Sequence, residues 1–389
     1  MRGAPAFEPA RMNPGQPPAF SARDHALMAR ALRIAREGLS STQPNPRVGC
    51  VIALGDAVVG EGWHRRAGEP HAEVLALEVA GARARGATAY VTLEPCGLHG
   101  RTPPCADALV ASGVARVVVA AEDPFQREGG AIDRLCAAGI SVESGLMREA
   151  ARELNRGFFS RVERGRPWLR VKLAMSLDGR TALANGESKW ITGDAARGDV
   201  QRWRARSSAI LTGSGTVLAD DPALTVRVAP AGAGAPSLAP AAPLRVVLDR
   251  SLRTPKGAKV LDGTAPTLLL HAPGALAPDD RFAQVALAAV ETRPDGLDLH
   301  QVLQVLAARG MNEVQVEAGP ALSGALLAAG LVDELLLYVA PVLLGDAARP
   351  LLAMASPATM AARFGLRLVE QRQLGEDLRL LLRPCGAVG

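Results

Sequence analysis

His71-Ala72-Glu73 is a tripeptide whose residue types can bind a metal and move protons. After it come Glu94-Pro95-Cys96, at the end of an apolar run, and then Cys105. One imidazole and two thiolates give zinc three protein ligands and leave a fourth position for water, as a catalytic site requires. Glu73 lies two residues past the histidine, on the first turn of a helix, where it can reach that water without ligating the metal. Zinc acidifies the water, and a glutamate so placed carries protons to an attacked ring and to departing ammonia. Taken alone, a histidine and two cysteines equally suit a structural zinc. Such a site closes with a fourth ligand, however, and none is apparent in the sequence.

A second set of residues lies farther on. Lys172 sits inside the otherwise apolar stretch Val171–Met175, and a lysine is costly to bury unless it is paired or useful. A strand-edge lysine with its stem along the surface is the plainer alternative. Then come Ser188-Lys189-Trp190, Leu211-Thr212-Gly213-Ser214-Gly215-Thr216, and Ala219-Asp220-Asp221-Pro222 with Leu224 to Arg227. The last run is Glu317-Ala318-Gly319-Pro320 with Leu322-Ser323-Gly324-Ala325. Two of these are glycine-rich turns between a strand and a helix, where backbone N–H groups can approach a phosphate. The three spaced glycines of the dinucleotide fingerprint are absent.

Both sets need a scaffold, and the apolar periodicity supplies one. Ser21 caps a helix with Asp24 three positions on, and Leu27, Met28, Ala31, Ile34 and Ala35 form its apolar stripe. Val48–Leu54 and Ala57–Gly62 read as a hairpin around Gly55-Asp56. From Ala72 to Glu143, helices (72–85, 102–112, 130–138) alternate with strands (88–93, 116–121, 140–143), which implies a mostly parallel sheet with helices on its faces. A charged helix, Arg148 to Arg164, leads to Gly165-Arg166-Pro167, the expected domain boundary. A second strand-helix series follows, with strands at 169–175, 209–212, 244–248, 267–270, 313–316 and 334–339. Residues 1–20 read as a disordered Pro/Ala/Gly tail, and Ala229–Pro243 as a mobile surface loop. The expected units are therefore 1–20, 21–165 and 166–389.

His-x-Glu, a strand and then Pro-Cys is the order found in the zinc deaminases, but nucleic-acid and nucleoside deaminases place two residues between their cysteines. Here eight intervene, Gly97 to Pro104. Gly68-Glu69-Pro70-His71-Ala72-Glu73, Thr92 to Cys96, and His99-Gly100-Arg101-Thr102-Pro103-Pro104-Cys105 closely resemble the bifunctional riboflavin-biosynthesis deaminase/reductase family. Pro44-Asn45-Pro46, Val48-Gly49-Cys50 and Gly62-Trp63-His64 match as well, and the runs from Val171 to Ala325 resemble its reductase half. The resemblance implies a cytidine-deaminase-like α/β/α layer domain followed by a dihydrofolate-reductase-like α/β domain. It implies Zn2+ on His71, Cys96 and Cys105, with Glu73 catalytic, deaminating a diamino-hydroxy-phosphoribosylamino-pyrimidine. Asn45 and His64 would contact the pyrimidine, and His99 and Arg101 the phosphate. Leu98 stands where the family carries a histidine, so that phosphate contact is either lost or passed to His99. In the second half, NADPH would reduce the ring-opened ribose at C1′. Ala174, Trp190, Thr216, Asp220 and the turn Gly319, Pro320, Ala321, Leu322, Ser323, Gly324, Ala325 would touch NADPH. Lys172, Ser188, Arg204, Leu224, Arg227 and Glu317 would meet the substrate, with Lys172 in an electrostatic role.

Composition narrows the remaining alternatives. The 389 residues suffice for two domains, possibly three, with 48% hydrophobic and 21% charged residues, which excludes wholesale disorder. Net charge is +5 and aromatics are 3%, whereas a nucleic-acid binder shows a dense basic, aromatic-studded surface. That argues against a nucleic-acid base deaminase. A single-activity zinc nucleobase deaminase with a degenerate second domain is the remaining alternative. Five scattered cysteines suit a reducing compartment better than a disulfide framework. With no signal-like run near the start and no membrane span, the expectation is a cytoplasmic enzyme with a small-molecule substrate. The apolar segment around Leu335–Leu344 suits an interface in a homo-oligomer.

Overall fold

Ser21 opens the first helix by a reciprocal cap. Its hydroxyl accepts the Asp24 N–H, and the Asp24 carboxylate accepts the Ser21 N–H, so two otherwise unpaired donors are satisfied. The computed structural model describes residues 20–98, 103–126, 130–227, 240–277 and 279–385. Residues 1–19 of the expected tail, and residues 229–239 of the loop expected over 229–243, lie outside them.

The first part runs α1 (Ala22–Ala35), β1 (Gly49–Leu54), β2 (Ala57–Trp63), α2 (Ala72–Ala80), β3 (Thr88–Val91), α3 (Cys105–Ser112), β4 (Arg116–Val119), α4 (Ala131–Ala137), β5 (Ser141–Ser144), α5 (Arg148–Leu154) and α6 (Arg156–Arg164). Its sheet has the order β2-β1-β3-β4-β5, antiparallel at the hairpin side and parallel from β3 to β5. Ala76, Leu109 and Leu135 of α2, α3 and α4 pack on one face with Ile52. Met28 and Leu32 of α1, with Phe158 and Phe159 of α6, pack on the other with Val51 and Val118. The result is three layers, as the alternating pattern implies. The helix expected from Arg148 to Arg164 is instead two. It breaks at Asn155 (φ −109, ψ 22), whose buried amide exchanges hydrogen bonds of 2.8 and 2.9 Å with the backbone of Arg47. A side chain that bonds distant backbone in this way competes with helix continuity.

The second part runs β6 (Trp168–Ser176), β7 (Arg180–Ala182), α7 (Asp194–Ala205), β8 (Ala209–Gly213), α8 (Ser214–Asp220), β9 (Leu244–Leu248), β10 (Thr267–His271), β11 (Ala286–Ala289), β12 (Thr292–Arg293), β13 (Gly296–Leu297), α9 (Leu299–Ala308), β14 (Glu313–Val316), α10 (Pro320–Ala328), β15 (Glu334–Ala340), β16 (Arg349–Pro350), β17 (Leu366–Leu374) and β18 (Asp377–Pro384). Nine strands form one sheet in the order β11-β10-β9-β8-β14-β6-β15-β18-β17. It is parallel up to β15 and closes with the antiparallel pair β18 and β17. That C-terminal hairpin was not visible in the apolar pattern, because β17 is exposed along most of its length.

The strand part of the segment Leu335–Leu344 is not an exposed sheet edge, whereas Val342 and Leu343 beyond it are exposed. Its strand, β15, lies between β6 and β18, with Leu336 and Tyr338 fully buried. Its apolar run reflects burial on both faces, which a parallel strand in the middle of a sheet demands. Among the described residues, no helix is long and apolar enough to cross a membrane.

Candidate active sites

The first site exists because β2 lets a helix lie directly on it. A Cβ on Gly62 would stand 2.5 Å from the Ala72 carbonyl oxygen, and one on Gly60 would stand 2.1 Å from that of Ala76. Side chains at these positions would push α2 away. His71 is the residue before α2, with extended backbone, and Glu73 lies in the helix's first turn. Cys96 follows β3, and Cys105 is the first residue of α3. The His71 Nδ1 atom is 3.5 Å from the Cys96 Sγ and 3.3 Å from the Cys105 Sγ. All three donor atoms lie within 4.8 Å of one another. Tetrahedral zinc bonded to one nitrogen and two sulfurs separates N from S by roughly 3.5 Å, so the donor set fits the ion.

The electrostatics also suit a cation. The Cys105 thiol and, against the opposing effect of burial, the His71 ring hold the Cys96 thiol below its ordinary value, and Cys96 in turn raises that of Cys105. The Cys105 N–H, at the start of its helix, also points at the Cys96 sulfur from 3.2 Å. Glu73 is 2% exposed, and its Oε2 has no hydrogen-bond partner. Burial pushes its carboxyl up to about 7. A buried, unpartnered carboxyl oxygen is costly in a purely structural role.

Asn45 and His64, expected on the pyrimidine side, are brought together. The Asn45 amide donates to the His64 Nε2 at 3.0 Å, and the His64 Nδ1–H donates to the Pro70 carbonyl at 3.2 Å. Burial lowers the His64 pKa, which favours this neutral ring. The ring stands edge-on to His71 at 5.0 Å between centroids. His99 and Arg101 lie outside the described residues. Sequence reasoning missed Gln126. Its amide donates to the Pro95 carbonyl at 2.9 Å and accepts the Gly97 N–H at 2.6 Å, which clamps the backbone on both sides of Cys96. Nothing in its local sequence marks it, because both bonds run to a segment some thirty residues away.

The second site gathers at the C-terminal ends of β8 and β14, beside the middle of β6. Arg204, near the end of α7, forks onto the Glu317 carboxylate with bonds of 2.7 and 2.8 Å. Gln315 donates to the same carboxylate at 2.8 Å, and the Thr212 hydroxyl donates to the Glu317 carbonyl at 2.7 Å. Burial pushes the Glu317 carboxyl up, but the Arg204 guanidinium outweighs it and holds the group at about 2. Lys172 on β6 faces this pair. Burial lowers its pKa against the raising pull of Glu317. Its Nζ lies 6.0 Å from the centre of the Tyr338 ring. Gln315, Thr212 and Tyr338 were not anticipated. Gln315 is fully buried with an unpartnered Oε1; its place two residues before Glu317, on the same face of an extended chain, is the signal that was available.

The other expected contacts divide. Ala174 and Thr216 are half-buried, Ser188 likewise, and Asp220, Arg227 and Trp190 are exposed. The Trp190 ring carries the Arg197 guanidinium 4.7 Å from its centre. Gly215 and Gly319 leave open space where a Cβ would stand, a cradle that suits a phosphate-bearing cofactor. Along the turn from Gly319 to Ala325, Gly319, Ala321 and Ala325 are exposed, and Pro320 and Leu322 half-buried. Ser323 is buried, and Gly324 packs where a Cβ would stand 2.3 Å from the Ala353 carbonyl oxygen. Those two support the turn from inside. The Leu224 side chain is buried in the core beside Ile210 and Val217, so only its backbone is left to meet a substrate.

Comparison with known proteins agrees with both halves. Residues 21–121 match the cytidine and deoxycytidylate deaminase zinc-binding region, and residues 167–380 match the RibD C-terminal domain. The chain is 48% identical over 367 residues to riboflavin biosynthesis protein RibD of Escherichia coli, covering 92% of this chain and 99% of that one. The Haemophilus influenzae protein of the same name is 44% identical, covering 94% of this chain and 99% of its own. Among solved structures, Acinetobacter baumannii RibD superposes with a TM-score of 0.85 at 45% identity, covering 93% of this chain and 99% of that chain. A Thermotoga maritima diaminohydroxyphosphoribosylaminopyrimidine deaminase/5-amino-6-(5-phosphoribosylamino)uracil reductase does so with 0.81 at 31%, with the same coverage.

Proposed function

The chain belongs to the RibD family of bifunctional riboflavin-biosynthesis enzymes, and from that premise we propose which of its residues carry each reaction. It is a deaminase and a reductase; both domains are present, which sets aside the single-activity alternative. The proposed units are residues 21–165 and 166–389, with the tail before them.

The deaminase substrate is the diaminohydroxyphosphoribosylaminopyrimidine ribotide. His71, Cys96 and Cys105 would hold zinc, which when bound supplies a water acidified to near neutrality. Glu73 does the proton work. Its Oε2, buried and unpartnered, accepts a proton, passes it to the ring nitrogen, and delivers the next to the departing amine. A carboxyl raised to about 7 can both take and give a proton at neutral pH. Asn45 and His64 orient the pyrimidine, and His99 and Arg101 are assigned to the phosphate end.

In the second domain NADPH supplies the hydride, and the protein supplies position and charge. Gly319 to Ala325, Thr216, Asp220, Ala174 and Trp190 are the proposed NADPH contacts. Lys172 stabilises negative charge developing on the ribose carbonyl oxygen. Glu317 holds Arg204 in a fixed fork and faces Lys172, while Ser188, Arg227 and the Leu224 backbone complete the substrate side. The cytoplasmic and homo-oligomeric readings belong to this proposal. The exposed Leu366, Leu368 and Val369 of the edge strand β17 are the surface that supports the second, and sedimentation of the purified protein measures it.

The observation that carries the whole reading is the convergence of His71, Cys96 and Cys105 around a buried Glu73. The test follows ammonia release from the ribotide and NADPH oxidation on the deaminated intermediate, separately. Failure of the zinc-loaded wild type to release ammonia would overturn it.

A further inference from the structure

The loop that carries Asn45 belongs to the first domain in sequence but is held by the second. The Gln43 amide donates to the Arg206 carbonyl at 3.2 Å and accepts the Ser208 hydroxyl at 2.6 Å. The Pro44 carbonyl accepts the Asn312 amide at 2.8 Å. Pro44 also lies against Gly310, where a Cβ would stand 3.4 Å from the proline's own. Two residues after Asn45, the Arg47 guanidinium reaches Glu313 at 2.6 Å, both groups almost wholly buried. Asn45 is thus bracketed by second-domain contacts on both sides. Within the first domain its own bonds are a turn to Thr42 and the amide bond to His64.

These second-domain groups are themselves fixed. The Ser208 hydroxyl accepts the N–H groups of Asn312 and Glu313 at 2.9 and 3.1 Å, which ties the α7–β8 turn to the start of β14. The Asn312 side-chain oxygen Oδ1 accepts from Arg161 at 2.7 Å, and the Glu313 carboxylate takes Arg170 at 2.9 Å. A loop docked on such a base keeps its side chains within a narrow range of positions, whereas one free at both ends would not.

We propose that Asn312 and Ser208 of the reductase domain are positioning residues for the deaminase. They hold residues 43–47 so that Asn45 presents its amide to the pyrimidine. The proposal rests on the assignment of Asn45 to the substrate. It predicts that substrate binding in the first reaction depends on side chains of the domain that performs the second.

Asn312→Asp is the sharpest probe in the full-length protein. It keeps an oxygen for Arg161 and turns the donor to Pro44 into an acceptor. Gln43→Ala removes the two bonds on the other side of the proline. Asn312→Asp is expected to raise the deaminase KM about fivefold, the effect of one hydrogen bond lost, and Gln43→Ala at least as much, with kcat within twofold of wild type in both. Zinc content and the kinetics of NADPH oxidation should not change. An unchanged KM in both variants overturns the proposal, and so does a KM rise accompanied by lost zinc or lost reductase activity, since either marks a general disturbance. Asn45→Ala separates the premise from the inference. If it leaves the deaminase KM unchanged, the substrate role of Asn45 is wrong. If it raises KM while Asn312→Asp and Gln43→Ala do not, the role stands and the positioning by the second domain falls.

Discussion

The two sites are built on opposite plans. In the first domain the reacting groups come from three short segments between residues 71 and 105, and their donor atoms lie within a few ångströms of one another. In the second, Lys172, Arg204, Gln315 and Glu317 come from two strands, a helix end and a loop, joined by a nine-stranded sheet. The difference follows from what each reaction asks of the protein. A metal dictates ligand type, number and distance. Hydride transfer is the cofactor's chemistry, so the protein must offer only position and field. Damage should therefore be abrupt in the first site and graded in the second.

The largest effect should come from the metal itself. Cys96→Ser, or removal of zinc by a chelator, is expected to abolish ammonia release and leave NADPH oxidation on the deaminated intermediate intact. Bound zinc, measured alongside, should fall with the first activity alone. A parallel fall in the reductase would break the contrast, by showing that the first site also holds the second together. Glu73→Gln comes next. The variant should keep its zinc and lose deamination by about a thousandfold, within the usual range for a general acid–base group.

This contrast also decided what the sequence could show. His71, Glu73, Cys96 and Cys105 are legible because no common structural role calls for those types in that order. Gln126 and Thr212 are not, because an amide or a hydroxyl in a loop or strand is ordinary until its partner is known. Most strands were legible from their apolar runs, β15 among them, yet its surroundings were not: an apolar run looks alike whether it faces a partner chain or two neighbouring strands. The break at Asn155 was invisible because its cause, the backbone of Arg47, is more than a hundred residues away. Asn45 was singled out only through the resemblance, and the groups that hold it lie in the other domain.

Lys172 tests the second plan at intermediate size. Lys172→Met should lower the reductase kcat by about a hundredfold, as expected for loss of one electrostatic contact in a dry site, with deamination unchanged. Burial lowers the lysine's pKa below that of a free side chain, and Glu317 only partly restores it. The ammonium form is the useful one and exists below the pKa, so the wild-type rate should fall as pH rises, at lower pH than an exposed lysine would impose. That alkaline limb should be missing from the pH profile of Lys172→Met. Its persistence would assign the limb to another group.

Arg204→Lys probes the mildest and most geometric claim. The arginine makes two parallel bonds to Glu317 and a third, of 2.8 Å, to the Thr225 carbonyl, next to Leu224. A lysine keeps the charge but cannot reproduce the fork. If Arg204 serves as a rigid strut that sets Glu317 and the 224–227 segment for the substrate, the reductase KM should rise by about tenfold, near 1.4 kcal/mol, while kcat changes little. If it acts only as a countercharge for Glu317, the lysine should restore nearly everything and KM should stay within twofold of wild type. The dispersed site then resolves into two kinds of residue, those that hold the ligand by shape and those that act on it by charge. On the first outcome Arg204 belongs with the first group, and loss of the alkaline limb in Lys172→Met places Lys172 with the second, although both are cations within one cluster.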